Sequence, residues 1–151
     1  MQRILIVDDS TSVRESFTDI LSPLATCEIA TNGQEAVDLV KRTINKGGTF
    51  DLVLMDIIMP EKDGLTAVKE IRQFEQSRGC KETERLTIVI ITTIKEPARI
   101  LTAQYDCGAD AYITKPFTRE TVLQTLRGNG LSLNPGQSDD AFTANQWSFS
   151  R

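Results

Sequence analysis

The chain has 151 residues, 40% of them hydrophobic and 25% charged, a balance that buries one core and leaves no room for several domains. Its 17 Lys and Arg against 21 Asp and Glu give a net charge of −4, without the positive field that binding a nucleic-acid backbone requires. Histidine is absent, which excludes imidazole general bases, histidine-ligated zinc and phosphohistidine.

Cys27, Cys80 and Cys107 are odd in number, widely spaced and without a CxxC pair. They read as packing residues or exposed thiols in a reducing compartment. The apolar run after Met1 is too short for a signal peptide, and no stretch approaches the ~20 apolar residues of a membrane span. These features predict a soluble cytoplasmic protein.

Strand-length apolar runs alternate with segments of helical period, the pattern of βα units around a parallel sheet. Five pairs are counted. Ile4 to Val7 form a continuous apolar run ending in acids, as a strand covered on both faces should. Ser10 then caps a helix with Val13, Phe17, Ile20 and Leu21 on one face, stopped by Pro23. Residues 26–30 make a weaker second strand. Asn32-Gly33 turns into a second helix bearing Ala36, Val37, Val40 and Ile44, ended by Gly47-Gly48. The third strand, Leu52 to Met55, also ends on an acid, Asp56, and a Pro60 to Gly64 loop leads to a third helix with Leu65, Val68, Ile71 and Phe74. Residues 76–85 are polar and read as an exposed loop. Thr87 to Ile91 is a β-branched fourth strand followed by Thr92 and Thr93. Pro97 starts a fourth helix that Gly108 ends, residues 111–114 form the fifth strand, and residues 118–127 form a last short helix. From Asn134 the chain is a polar tail containing Phe142, Trp147 and Phe149. The predicted organisation is one domain over 1–133 and a tail over 134–151 that is too short to be an output domain.

In an open parallel sheet, ligands bind beyond the carboxyl ends of the strands where the strand order reverses. Asp8-Asp9, Asp56, Thr92 and Lys115 all fall at such ends. Converging carboxylates repel one another, so the site should hold a raised pKa or recruit a hard cation. Magnesium fits, with its preference for oxygen ligands and substrate phosphate; Mn2+ is the alternative ion. Asp56, lying among the other groups, can then attack a phosphoryl donor and become an aspartyl phosphate. Thr92 would offer a hydroxyl donor to one phosphoryl oxygen and Lys115 a compact positive charge to another.

Four segments together resemble the receiver domain of two-component response regulators, the CheY-like family. They are Ile6 to Ser10, Asp51 to Pro60 with Asp63-Gly64, Thr92, and Gly108 to Phe117. The resemblance spans about Arg3 to Leu133 and implies an α/β fold, a doubly wound five-stranded parallel sheet in the order 2-1-3-4-5 with helices on both faces. It implies Asp56 as phosphoacceptor, Asp8, Asp9, Asp56 and the Ile58 backbone carbonyl as metal ligands, and Thr92 and Lys115 as phosphate-sensing groups. Tyr112 matches the aromatic that couples to Thr92, and Lys115-Pro116 matches a bond that is usually cis. By this resemblance the chain is not an enzyme beyond its own phosphorylation and dephosphorylation. It takes its phosphoryl group from a sensor histidine kinase or phosphotransfer protein, and it signals by reshaping the surface of the fourth helix, fifth strand and last helix for a protein target. A monomer or weak dimer, free of nucleic acid and membrane, is expected.

The positions two residues after Asp56 and after Thr92 are Ile58 and Ile94. Polar groups at these positions can orient an attacking water; two bulky apolar side chains should exclude it, which predicts slow self-dephosphorylation. Thr93 stands where the family usually has a smaller residue. Each signal alone also has an ordinary explanation. Asp8-Asp9 can end a strand and cap a helix, Lys115 can be a solvated loop lysine, Tyr112 a half-buried strand aromatic, and Arg99, Gln104 and Asp106 a solvated helix face. Two other functions stay open: an isolated receiver cut from a larger regulator, and a phosphorylation-independent interaction module. A phosphatase of the haloacid-dehalogenase type would want an Asp where Ile58 stands.

Overall fold

A run such as Ile4-Leu5-Ile6-Val7 has no polar side, so it belongs in a strand with helices on both of its faces. The computed structural model, which describes residues 2–93 and 108–133, places it there. β1 (Gln2–Val7) is followed by α1 (Thr11–Leu21), β2 (Ala25–Ala30), α2 (Gly33–Asn45), β3 (Leu52–Asp56), α3 (Gly64–Ser77), a 3-10 turn (Glu82–Glu84), β4 (Thr87–Thr92), β5 (Ala111–Thr114) and a C-terminal helix (Arg119–Gly128). The strands form one five-stranded sheet in the order β2-β1-β3-β4-β5, with every pair parallel. The expected α/β fold and strand order are both observed.

Alternation along each strand divides the core in two. Leu5, Val7, Val53, Met55, Ile88 and Ile90 face α2 and α3, where Ala36, Val37, Val40, Val68 and Ile71 meet them. Ile4, Ile6, Leu52, Leu54, Val89, Ile91 and Ile113 face α1 and the C-terminal helix, against Phe17, Leu21, Val122, Leu123 and Leu126. Ser10 caps α1 as expected, and the other described α-helices are capped in the same way. Ser10 Oγ accepts from Val13 N at 3.4 Å, Asn32 Oδ1 from Glu35 N at 2.8 Å, Asp63 Oδ1 from Thr66 N at 2.8 Å, and Thr118 Oγ1 from Thr121 N at 3.1 Å. Gly47, with φ +89°, ends α2 in the left-handed conformation that glycine adopts without steric cost.

Four details differ from the sequence expectation. β4 runs one residue further, taking in Thr92, and α3 continues to Ser77 before Gly79 breaks away, so the polar stretch begins inside a helix. Phe74 is half-buried, with Lys41 Nζ and the Arg78 guanidinium each 5.6 Å from its ring centre, instead of lying in the core. Leu131 and Leu133, given no role in the sequence reading, are 5% and 1% exposed and close the α1 side of the core. Burial raises the Cys27 thiol above its ordinary pKa, as a packing cysteine requires; Cys80 is half-buried. No helix among the described residues is long and apolar enough to cross a membrane. The predicted helix over 97–107, Ile94, Cys107 and the tail over 134–151 lie outside the described residues.

Candidate functional site

The strand order turns back on itself beside β1: β2 pairs with one of its edges and β3 with the other. α1 and α2 therefore depart to opposite faces, and the crevice above the ends of β1 and β3 is left for polar side chains. Asp8 directly follows β1, and its N–H donates to Ala30 O at 3.2 Å across the β2 edge. Its side chain is fully buried, yet both oxygens are partnered: Oδ1 accepts from Ser10 N at 2.8 Å and Oδ2 from Lys115 Nζ at 3.1 Å. Asp56 is the last residue of β3 and 6% exposed, with Oδ1 accepting from the same Nζ at 3.3 Å. Asp9 is exposed.

One carboxylate oxygen from each of Asp8, Asp9 and Asp56 lies within 4.8 Å of the others. Three hard oxygen donors at that spacing, two of them on buried side chains, suit a divalent cation such as Mg2+. Among the described residues Lys115 is the cation that bridges Asp8 and Asp56. Burial pushes the Asp56 carboxyl above its usual pKa and the Asp8 charge adds to this, while the Lys115 ammonium offsets part of it. Burial alone would lower Lys115; the hydrogen bond to Asp8 and the charges of Asp56 and Asp8 outweigh it, so its pKa is raised and it stays protonated.

The Lys115 N–H donates to Thr92 O at 2.8 Å, which ties it to the end of β4, and its peptide bond to Pro116 is cis, as expected. Thr92, 3% exposed, ends β4 beside Thr114, and Tyr112 pairs with Ile90 two residues earlier. Residues two apart on a strand share a face, so Thr92 and Tyr112 are diagonal neighbours on the α3 side of the sheet, with Tyr112 39% exposed. Ile58 is 73% exposed, two residues past Asp56.

Some residues take structural parts around the site that their sequence positions did not indicate. Gly64 approaches so closely that an added Cβ would stand 1.9 Å from Asp56 O, and Gly64 N donates to Ile57 O at 2.7 Å. Gly33 N likewise donates to Lys62 O at 3.1 Å, which ties the β3–α3 loop to the start of α2. Phe117, two residues past Lys115, stacks on the buried Phe17 of α1 with ring centres 4.2 Å apart. Arg14 of α1 donates to Asp8 O at 2.8 Å.

Residues 4–127 match the sequence profile of the response regulator receiver domain. The chain is 34% identical over 126 residues to the chemotaxis protein CheY of Halobacterium salinarum, which covers 83% of this chain and 93% of that protein. It is 36% identical over 127 residues to CheY of Bacillus subtilis. Against the response regulator MprA of Mycobacterium sp. the identity is 34% over 140 residues, but the match spans only 55% of that longer protein. Similar solved structures include Vibrio cholerae CheY4, with a TM-score of 0.70 and 29% identity over 85% of this chain and 98% of that one. They also include the CheX–CheY–BeF3–Mg complex of Borrelia burgdorferi, with a TM-score of 0.72 and 26% identity over 87% of this chain and 90% of that one.

Proposed function

The chain belongs to the response regulator receiver family, and we propose that within two-component signalling it is the phosphoacceptor, taking a phosphoryl group from a histidine kinase or phosphotransfer protein onto Asp56. The observation that carries this reading is the meeting of Asp8, Asp9 and Asp56 within 4.8 Å, bridged by Lys115. An Asp56 oxygen attacks the phosphohistidine phosphorus; a P–O bond forms, the P–N bond breaks, and the leaving imidazole takes a proton from solvent. Asp8, Asp9, Asp56 and the Ile58 carbonyl would hold Mg2+ or Mn2+, which when bound supplies a Lewis acid for the phosphoryl oxygens. Lys115 is already beside Asp56 and places its charge against a second oxygen, while Thr92 donates its hydroxyl to a third. Little covalent work is left to the protein beyond this positioning. Thr92 moving toward the phosphoryl group lets Tyr112, its neighbour on the same face, turn inward, which alters the surface around β5 and the C-terminal helix for a protein target.

The test is Mg2+-dependent uptake of beryllofluoride, followed by 19F NMR. Wild type is expected to bind it and Asp56→Asn to bind none. A wild type that takes up none leaves the phosphorylation-independent interaction module as the reading. Because the folded Asp56 carboxyl has a raised pKa, the stability its protonated form provides is lost as pH rises through that value. Asp56→Asn, which never ionises and leaves Lys115 paired to Asp8, is therefore expected to melt a few degrees higher than wild type in metal-free neutral buffer. An unchanged or lower melting temperature would count against a repelled carboxylate.

The phosphoryl group is proposed to be long-lived because Ile58 and Ile94 offer no group that orients water. Ile58→Asn with Ile94→Glu is expected to shorten its lifetime by up to the ~10²-fold that a positioned base contributes. An unaltered decay of 32P-labelled protein would refute it.

A further inference from the structure

Asp8 is held at each of its polar atoms. Ala30 O takes its N–H, Ser10 N and Lys115 Nζ hold its two carboxylate oxygens, and Arg14 Nη1 donates to its carbonyl at 2.8 Å. The Arg14 guanidinium is half-buried and anchored by a second bond, from Nη2 to Thr11 Oγ1 at 3.1 Å, so it spans the turn between β1 and α1 as a brace. The carbonyl it grips belongs to the peptide that joins Asp8 to Asp9. Asp9 is exposed and not packed into the core, so its direction rests on how that peptide is turned. Asp9 nevertheless meets Asp8 and Asp56 within 4.8 Å.

We propose that Arg14 is a positioning residue for the divalent-cation site: by fixing the Asp8–Asp9 peptide against α1, it aims the Asp9 carboxylate at those of Asp8 and Asp56. Partners that orient a metal's ligands from outside the coordination sphere commonly set its affinity by 10–100-fold. A brace and a bare charge make opposite predictions. A guanidinium this close to a cation site repels the incoming ion, so if Arg14 acted by charge alone its removal would tighten binding. Removal of a brace weakens binding even though a repelling charge has gone.

The inference rests on the phosphoacceptor reading, and the two can fail separately. Mg2+ is titrated into the full chain by calorimetry for wild type, Arg14→Met and Arg14→Lys. The Met variant keeps the apolar stem and removes both the donors and the charge, and is expected to bind Mg2+ about 10-fold more weakly. The Lys variant keeps one donor and the charge, and is expected to stay within a few-fold of wild type. Equal or tighter binding by Arg14→Met overturns the proposal and leaves the phosphoacceptor reading standing. A wild type that takes no Mg2+ overturns both. Far-UV circular dichroism reports whether each variant is folded, and Arg14→Gln, also neutral, makes the same test if the Met variant is not.

Discussion

Gly64→Ala is expected to destabilise the chain by about 3 kcal/mol, the upper side of what overpacking ordinarily costs, and to lower the rate of Asp56 phosphorylation about 10²-fold in the protein that still folds. The steric demand is the reason. A Cβ at Gly64 would stand 1.9 Å from Asp56 O, 2.8 Å from Asp56 C and 3.0 Å from Ile57 Cα, and all three are backbone atoms that cannot rotate away. Either α3 withdraws, which breaks the 2.7 Å bond from Gly64 N to Ile57 O, or the Asp56 peptide shifts and takes its carboxylate out of register with Asp8 and Lys115. The first outcome costs stability and the second costs phosphorylation. Urea melts and initial rates of phosphoryl incorporation separate them. Gly128→Ala is the control, since nothing lies within 4 Å of its would-be Cβ and its backbone needs no left-handed conformation. It should be neutral or mildly stabilising. Equal effects from the two substitutions would mean that the close approach does not hold the loop after Asp56.

The contrast between these glycines shows which parts of the molecule were legible in advance. Strands buried on both faces need unbroken apolar runs, and the polar residue that ends such a run marks the open end of the sheet. For this reason Asp8, Asp56, Thr92 and Lys115 could be placed together from sequence, and they are found together. The start of α1 was legible too, because Ser10 offers the side-chain oxygen that a first turn lacks; Asn32, Asp63 and Thr118 do the same for α2, α3 and the C-terminal helix, and that capping emerged only in the fold. The strand order was not legible from pattern; it came with the resemblance, since any permutation of five buried strands looks alike along the chain. The tight passage of Gly64 past Asp56 depends on two segments meeting in space, which a local pattern does not encode. Leu131 and Leu133 follow a helix end and an Asn-Gly pair, signals of a chain leaving the domain, yet they return to the core. Arg127 Nη2 donating to Leu133 O at 3.0 Å and Ser132 N donating to Gln2 Oε1 at 3.0 Å hold them there.

Arg72 was the least legible residue of all, because an arginine three positions before a glutamate on an amphipathic helix looks like a solvated pair. In the folded chain the pair is buried: the Arg72 side chain is 11% exposed and that of Glu75 2%. Arg72 donates to Glu75 Oε1 and Leu86 O at 2.8 Å, and to Gly108 O and Asp110 Oδ2 at 2.9 Å. Glu75 Oε2 accepts from Leu86 N at 2.7 Å, and Asp110 Oδ2 also accepts from Ile88 N at 2.8 Å. One guanidinium thus fastens α3 to the starts of β4 and β5 and to Gly108. Removing one partner of a buried pair leaves the other charged and uncompensated, so Arg72→Met is expected to cost about 3–5 kcal/mol in urea melts. Glu75→Gln in the Arg72→Met background should recover part of that loss, since a glutamine carbonyl still accepts from Leu86 N without carrying a charge. The two changes should therefore couple by about 1 kcal/mol or more in a double-mutant cycle. A cost below ~1 kcal/mol for Arg72→Met would place it with ordinary surface pairs. The network lies at the end of the parallel sheet opposite Asp56, so the folded fraction of Arg72→Met should still take up beryllofluoride with unchanged affinity. That result would separate what holds the sheet together from what acts at its other end.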